Sequence, residues 1–326
     1  MTRAMYLRPQ NWHQLTDADR SGIAYVAGAT EVIPLMRSGI LRPTALLDLS
    51  DVLDRRVEAR REGISIGALA RLSDVAADAN VNLRAPALAQ SLLVTASAQI
   101  RNTATVGGNL LQRTRCAYFR EPAFECNKRA LGAGCAAMRD DGRSRALFGS
   151  SKHCAAIHAS DLAVALVALD ATLALRDPKG RRRTLRVEEL YCPPGDRPDR
   201  DTVLSDGEII VGVQIPDTTC ARRSMYTKLR ERAAFDFALV SAAVALDVEG
   251  GHIREARIAA GGVATVPWRL RDVEARLQGR EVTASAIAAA FDGFDLGAQA
   301  ASGNAFKLRL LRRLATRTLT ALSGAA

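Results

Sequence analysis

Cys116, Cys126, Cys135 and Cys154 crowd into one stretch of a 326-residue chain that holds only six cysteines. Nine, eight and eighteen residues separate them in turn. Their surroundings, CAYFREPAFECNKRALGAGC from Cys116 to Cys135, are rich in Arg, Lys, Asn and Gly. Isolated buried thiols would sit instead in apolar strands and helices. Zinc usually takes at least one close Cys-x2-Cys pair, and no such pair exists here. Four thiolates converging from a glycine-bearing loop suit an iron–sulfur cluster, whose negative charge welcomes nearby cations. Arg113, Arg115, Lys128 and Arg129 could supply those cations, and backbone N–H groups around Gly132–Gly134 could reach cluster sulfur. From spacing alone, a cluster, zinc and structural or free thiols all stay open. His153 and His158 flank Cys154 as alternative ligands. Cys192 and Cys220 lie outside the stretch and read as ordinary thiols.

Two glycine loops form a second candidate. VAGATEV, residues 26–32, stands between a strand and a helix, and ATVGGNLL, residues 104–111, precedes the cysteines. Glycine admits close backbone approach and positive φ, so successive N–H groups can face one anion. A helix start adds free donors, and Asn109 could cap one. Either loop alone is better read as a plain turn. Neither is a Rossmann Gly-x-Gly-x-x-Gly or a Walker loop, which argues against an ordinary NAD or ATP fold.

These loops sit in an α+β pattern. Ile23–Gly28 and Ala45–Ser50 read as strands, residues 30–39 as a short helix, and residues 57–69 as a hairpin turning at Glu62–Gly63. Residues 72–79 and 86–99 read as helices. Residues 101–160 show little periodicity, and a loop of that length is usually functional or disordered. SDLAVALVALDA, residues 160–171, is a helix with a Ser/Asp start. A hairpin at 172–190 and a strand at 207–216 follow. The domain boundary falls near Asp217–Arg222, giving domains 1–219 and 220–326, with the cysteine insertion at about 112–155. The second domain reads as antiparallel strands at 224–230, 238–250 and 252–262, followed by helices at 270–278, 284–293 and 304–322.

The composition is that of a globular protein, 48% hydrophobic and 25% charged, with formal net charge +10. The arginine runs lack interleaved aromatics, and no helix-turn-helix or zinc-finger spacing appears, so no nucleic-acid role is expected. No apolar run reaches membrane length; the longest is Leu162–Leu169. The N-terminus lacks the apolar core of a secretory signal, so the cytoplasm is the expected compartment.

Together the loops and the 160–171 helix resemble the FAD-binding medium subunits of the xanthine dehydrogenase and carbon monoxide dehydrogenase family. The resemblance rests on VAGATEV, ATVGGNLL and SDLAVALVALDA, on KLRERAAFDFALVSAA (228–243), and on GGVATVPWRLRDVEARL (261–277). It spans nearly the whole chain in order. One departure is Ala29 where the family usually has glycine; a second is Glu31 where Asp or Asn is common. Alanine tolerates positive φ poorly, so the first loop is expected to be re-shaped, and the second is the better pyrophosphate candidate.

The resemblance implies a two-part FAD-binding domain of the vanillyl-alcohol-oxidase/PCMH-like type, then a smaller α+β domain with an antiparallel sheet and helices. It implies that Ala27, Gly28, Ala29, Thr30, Glu31 and Val32, with Thr105, Gly107, Gly108 and Asn109, cradle the FAD pyrophosphate. Asp161 would accept hydrogen bonds from the ribose or a nearby polar group of the cofactor, and Lys228 would lie near the flavin ring; the alternatives are a helix cap and a surface strand residue. The cysteine stretch looks most like that of periplasmic aldehyde oxidoreductases, which implies a [4Fe–4S] cluster held by Cys116, Cys126, Cys135 and Cys154. The chain would then pass electrons from [2Fe–2S] clusters of a small subunit, fed by a large molybdenum-cofactor subunit, through FAD to an external acceptor. No side chain would need to act as acid, base or nucleophile. Export as part of a folded complex is the alternative to cytoplasmic residence. A stand-alone flavoprotein dehydrogenase and a zinc-stabilised interaction module are the rival functions.

Overall fold

The computed structural model describes residues 4–17 and 22–324. Among them the strands fall into three sheets. β2 (Ile23–Val26) and β1 (Met5–Leu7) flank β3 (Ala45–Asp48) in a small parallel sheet. β4 (Val57–Arg60), β5 (Gly63–Gly67), β6 (Thr172–Arg176), β7 (Arg182–Arg186) and β8 (Ile209–Pro216) form a five-stranded antiparallel sheet in the order β4-β5-β8-β6-β7. β9 (Ser224–Leu229), β10 (Val240–Glu249), β11 (His252–Gly261) and β12 (Trp268–Arg269) make a C-terminal antiparallel sheet in the order β12-β11-β10-β9. The chain leaves this sheet after β5 and returns to it at β6, so the second glycine loop and all four clustered cysteines are an excursion from one sheet.

The helix Asp161–Ala168 is apolar all round after its first residue, and every residue in it is buried. A helix without a polar face has to sit inside a core. It packs against Pro86–Leu93, β10 and β11, so its core joins the five-stranded sheet to Ala243 and Ala259 of the C-terminal sheet. Gly261 permits the approach: a Cβ there would stand 2.7 Å from Val164 Cγ2. The C-terminal sheet covers a second core with the helices Arg271–Leu277, Ala284–Ala290 and Phe306–Ser323.

The expected 86–99 helix is broken. It runs Pro86–Leu93, then resumes as Ala98–Arg101. Ala96 between them has φ +46, a left-handed residue that no helix can include. The cysteine insertion holds little regular structure: a helical turn at Ala117–Arg120, a 3-10 turn at Ala136–Arg139, and single bridges such as Cys126 with Cys135 and Ser151 with Cys154. Its far end docks on the C-terminal sheet, where Phe148 bridges to Ala264 and stacks on Trp268.

Candidate cofactor site

The two glycine loops meet. Gly28 lies so close to the chain leading into the second loop that a Cβ would stand 2.1 Å from the Thr103 carbonyl oxygen. Only glycine fits there. Beyond it, Ala29 takes φ +57. The expected re-shaping therefore does not occur: the loop keeps its left-handed turn and places alanine in it, at a cost of about 1–2 kcal/mol. Among the described residues no protein group accepts from the N–H groups of Ala29, Thr30, Glu31 or Val32.

The second loop spends its donors internally. Val106 and Gly107 donate to the Ala70 and Ala68 carbonyls, at 2.9 Å each. Gly108 N donates to Thr105 Oγ1 at 3.2 Å, so Thr105 is the cap of the helix Val106–Leu110. Asn109 is not a cap: it lies inside that helix, and its Oδ1 accepts from Ser160 Oγ at 2.6 Å. The sequence ranks the second loop ahead of the first; the unclaimed donors lie on the first, and the second braces it.

A groove runs between the loops. Gly28, Ala29, Gly107 and Gly108 line its first recess, with Tyr25, Leu53 and Ala68. Thr30, Glu31 and Gly108 also border a second recess, which reaches Thr95, Ala96, Asp161, Lys228, Phe235 and Phe237. Among the described residues, four besides glycine have positive φ: Ala29, Ala96, Asp170 and Phe235. Three of the four line this groove. Backbone strain persists where the surroundings over-determine it, and it gathers at functional sites.

Asp161 and Lys228 form a buried ion pair, Nζ to Oδ2 at 2.8 Å. Tyr226 Oη donates to Asp161 Oδ1 at 2.6 Å and Thr95 Oγ1 to Oδ2 at 3.2 Å. Lys228 also donates to the Val94 carbonyl. Burial, with the Asp161 charge beside it, pushes the Tyr226 phenol well above its ordinary value, so it stays a donor. Lys228 is thus neither a surface strand residue nor an unpaired cation. The helix cap is Ser160, whose Oγ accepts from Ala163 N at 3.0 Å, while Asp161 faces the groove. Tyr226 was legible in principle, since strand alternation puts it on the same face of β9 as Lys228; Thr95 gave no local signal.

Glu31 ties the groove to the cysteine insertion. Its carboxylate meets Arg115 at 2.8 Å and Arg120 at 2.5 Å, and accepts from Arg113 N at 3.1 Å. The extra methylene over Asp gives it this reach. The four cations expected around the cysteines are already engaged. Arg113 and Lys128 pair with Asp201, Arg115 pairs with Glu31, and Arg129 donates to the carbonyls of Tyr118, Phe119 and Phe124. Gly134 N donates to Asn127 Oδ1 at 2.8 Å.

All six cysteines are free thiols. Cys126 and Cys135 face each other across a backbone bridge, and Cys116 packs with Cys126, Leu35 and Phe119. Burial pushes the Cys116 and Cys135 thiols up, and Cys154 to about 11; in each case neighbouring clustered thiols add to the rise, so the four are neighbours. Yet among the described residues no three His, Cys, Asp or Glu side chains converge closely enough to hold a metal ion. His153 approaches Asp196. His158 packs edge-on to Tyr191, with ring centroids 4.4 Å apart. Cys220 is buried and pushed up to about 12; Cys192 shares a small recess with Cys154.

Residues 2–218 match the family described as the FAD binding domain in molybdopterin dehydrogenase, and residues 224–322 match the CO dehydrogenase flavoprotein C-terminal domain. The chain is 40% identical over 294 residues to the aldehyde oxidoreductase FAD-binding subunit PaoB of Escherichia coli (strain K12), covering 90% of this chain and 89% of that one. It is 24% identical to the carbon monoxide dehydrogenase medium chain of Hydrogenophaga pseudoflava, over 82% of this chain and 76% of that one. In fold it superimposes on carbon monoxide dehydrogenase from H. pseudoflava with a TM-score of 0.75 at 22% identity, covering 99% and 98% of the two chains. Quinoline 2-oxidoreductase from Pseudomonas putida 86 gives 0.74 at 21%, covering 99% and 97%. No helix among the described residues is long and apolar enough to cross a membrane. The chain belongs to the FAD-binding medium subunits of the xanthine dehydrogenase and carbon monoxide dehydrogenase family, oxidoreductases that act as parts of molybdenum hydroxylase complexes.

Proposed function

We propose that this chain is the electron-transferring flavoprotein subunit of an aldehyde-oxidising molybdenum hydroxylase. The observation that carries the reading is the first glycine loop, with its unclaimed N–H groups and its strained Ala29 facing a groove. Residues Ala27–Val32 would hold the FAD pyrophosphate, with Thr105, Gly107, Gly108 and Asn109 bracing them from across the groove. Asp161, fixed by Lys228, Tyr226 and Thr95, forms a rigid polar floor for the inner recess. Bound FAD supplies an exchange between two-electron and one-electron chemistry. The residues of this chain bind it, orient it and keep the floor electrically balanced. Partner subunits bearing a molybdenum cofactor and [2Fe–2S] clusters would deliver electrons, and an external acceptor would remove them; 40% identity to a subunit of aldehyde oxidoreductase supports that assembly and that substrate class.

Cys116, Cys126, Cys135 and Cys154 would hold a [4Fe–4S] cluster. What supports this reading is the donor set: four free thiols that neighbour one another. A four-iron cluster is bulkier than one ion, so its corner ligands stand farther apart than the ligands of a single metal. The test is an absorption spectrum of the purified chain, oxidised and dithionite-reduced, with flavin and iron assayed on the same sample. The reading expects FAD with about four irons per flavin. Cys135→Ser should remove iron and spare flavin; unchanged iron content would sink that residue as a ligand. A colourless, zinc-containing protein would favour the interaction-module alternative.

A further inference from the structure

The cysteine insertion contains one short hairpin, residues 125–136, with a thiol on each arm of its stem. Cys126 and Cys135 stand directly opposite each other as an antiparallel pair. The bonds that hold the stem lie on either side of them. Ala136 N donates to the Glu125 carbonyl at 3.2 Å, and Gly134 N donates to Asn127 Oδ1 at 2.8 Å. Arg129 N and Ala130 N close the turn, both donating to the Cys126 carbonyl at 3.0 Å, and Gly132 and Gly134 supply its positive φ. These bonds are internal to the hairpin, so the stem is set by the chain itself.

Opposed residues of an antiparallel pair come in two kinds, and the kind decides what two cysteines can do. Here the ladder bond runs between Glu125 and Ala136, one step outward. Cys126 and Cys135 are therefore the non-hydrogen-bonded kind, in which the α-carbons stand about 4.5 Å apart and the side chains are closest. A disulfide spans α-carbons about 4.4–6.8 Å apart, so this pair closes without a backbone shift. Neither of the other clustered thiols has a cysteine opposite it. Cys154 is bridged to Ser151. Cys116 packs beside Cys126 with Leu35 and Phe119, but at the start of a helical turn and not across a ladder. Cys135 is half-buried and Cys126 buried, so a small reagent reaches Cys135 first.

We propose that, when no cluster is bound, Cys126 and Cys135 form a reversible disulfide by exchange with a small-molecule disulfide such as oxidised glutathione, and that this bond keeps iron out until a dithiol reductant reopens it. The second half rests on the cluster reading above; the first does not. Cys135 attacks one glutathione sulfur, the glutathione S–S bond breaks, and a mixed disulfide forms. Cys126 then attacks the Cys135 sulfur and releases the second glutathione. One protein S–S bond replaces one glutathione S–S bond. Two electrons pass from the cysteine pair to glutathione, and the two thiol protons end on the two released glutathione thiols. A four-iron cluster takes four cysteine sulfurs, and the bond withdraws two of them. A paired sulfur is also shielded from the irreversible oxidations open to a free thiol.

The pairing is tested on the full-length chain, stripped of iron by a chelator under reducing conditions and equilibrated with reduced and oxidised glutathione. Trypsin puts the four clustered cysteines on four different peptides, with Cys126 in EPAFECNK and Cys135 in ALGAGCAAMR. The expected result is loss of two of the six thiols and a mass equal to those two peptides joined. Asn127→Ala keeps every thiol but loosens the stem, and should lower the equilibrium constant for closure about fivefold, the worth of one hydrogen bond. Retention of all the thiols, a link between any other pair, or an equilibrium constant untouched by Asn127→Ala overturns the pairing.

Iron uptake tests the barrier. Ferrous iron and sulfide are offered anaerobically to the oxidised and the reduced chain, and bound iron is assayed after desalting. The oxidised chain should stay iron-free until dithiothreitol is added, while the reduced chain loads at once. Equal uptake by both overturns the barrier. If the reduced chain takes up no iron although oxidation joins Cys126 to Cys135, the pairing stands and the cluster reading falls.

Discussion

The groove and the cysteine insertion are neighbours built by opposite means. The groove is made of backbone. Strand ends, a capped helical turn and a glycine contact set its shape, and Ala29, Ala96 and Phe235 stand along it with positive φ. The insertion is made of side chains. It has two short helical turns, a few isolated bridges, and a small apolar cluster around Leu35, Phe119 and Cys126. Arginines reaching for carbonyls do much of the holding. A backbone-built site keeps its shape without its ligand. A side-chain-built loop has few cooperative hydrogen bonds to fall back on, so a bound group contributes to its fold as well as to its chemistry.

The strongest way to break the comparison is Gly28→Ala. The added Cβ meets the Thr103 carbonyl at 2.1 Å, and neither backbone can yield without moving a loop. A loss of about 3 kcal/mol is expected. Flavin should be lost and iron kept, read by absorbance and iron assay. Loss of both together would show that the groove and the insertion fold as one unit.

Acid probes the seam between them. Burial pushes the His158 imidazole down to about 4. Between pH 6.5 and 4 the unfolded chain takes up this proton and the folded chain does not. Stability therefore falls as pH drops through that window, by up to about 3 kcal/mol. His158→Phe should flatten this acid limb in urea unfolding measured from pH 7 to 4. An unchanged limb would assign acid sensitivity to the carboxylate pairs instead.

Glu31→Ala removes the tie. It leaves Arg120 and Arg115, whose side chains are 20% and 32% exposed, without their carboxylate. Partial exposure discounts the cost to about 2 kcal/mol. Limited proteolysis should open within residues 113–145 before the groove loses flavin. Simultaneous loss would mean that Glu31 holds the flavin directly.

Much of this was legible in residue types and order. Both hairpins, the buried 161–168 helix and the C-terminal strands follow from periodicity and caps, because those signals are local. The glycine loops were legible as a pair, and Asp161 with Lys228 as candidates. Their mutual pairing was not, since they stand 67 positions apart and meet because the 161–168 helix packs against β10, the strand beside β9. The cap at Thr105 instead of Asn109 turned on a register of four residues. The cations flanking the cysteines were legible in the sequence but their partners were not: Glu31 and Asp201 come from distant loops that no spacing rule connects.

The smallest effect has the opposite sign. Ala29 stands at φ +57, where a Cβ costs about 1–2 kcal/mol that glycine does not incur. Glycine also loosens the unfolded chain, which returns about 0.4–1 kcal/mol of that gain. Ala29→Gly should therefore stabilise the chain by about 1 kcal/mol and raise its melting temperature by a few degrees. If the surrounding sheets impose the loop, flavin affinity will stay at the wild-type level, because the same N–H groups point the same way. If instead the methyl group restricts the loop to its binding shape, the glycine variant will melt higher and yet bind flavin more weakly. Differential scanning calorimetry with flavin titration separates the two, and the second outcome would assign to Ala29 a role in holding the donors ready that glycine cannot fill.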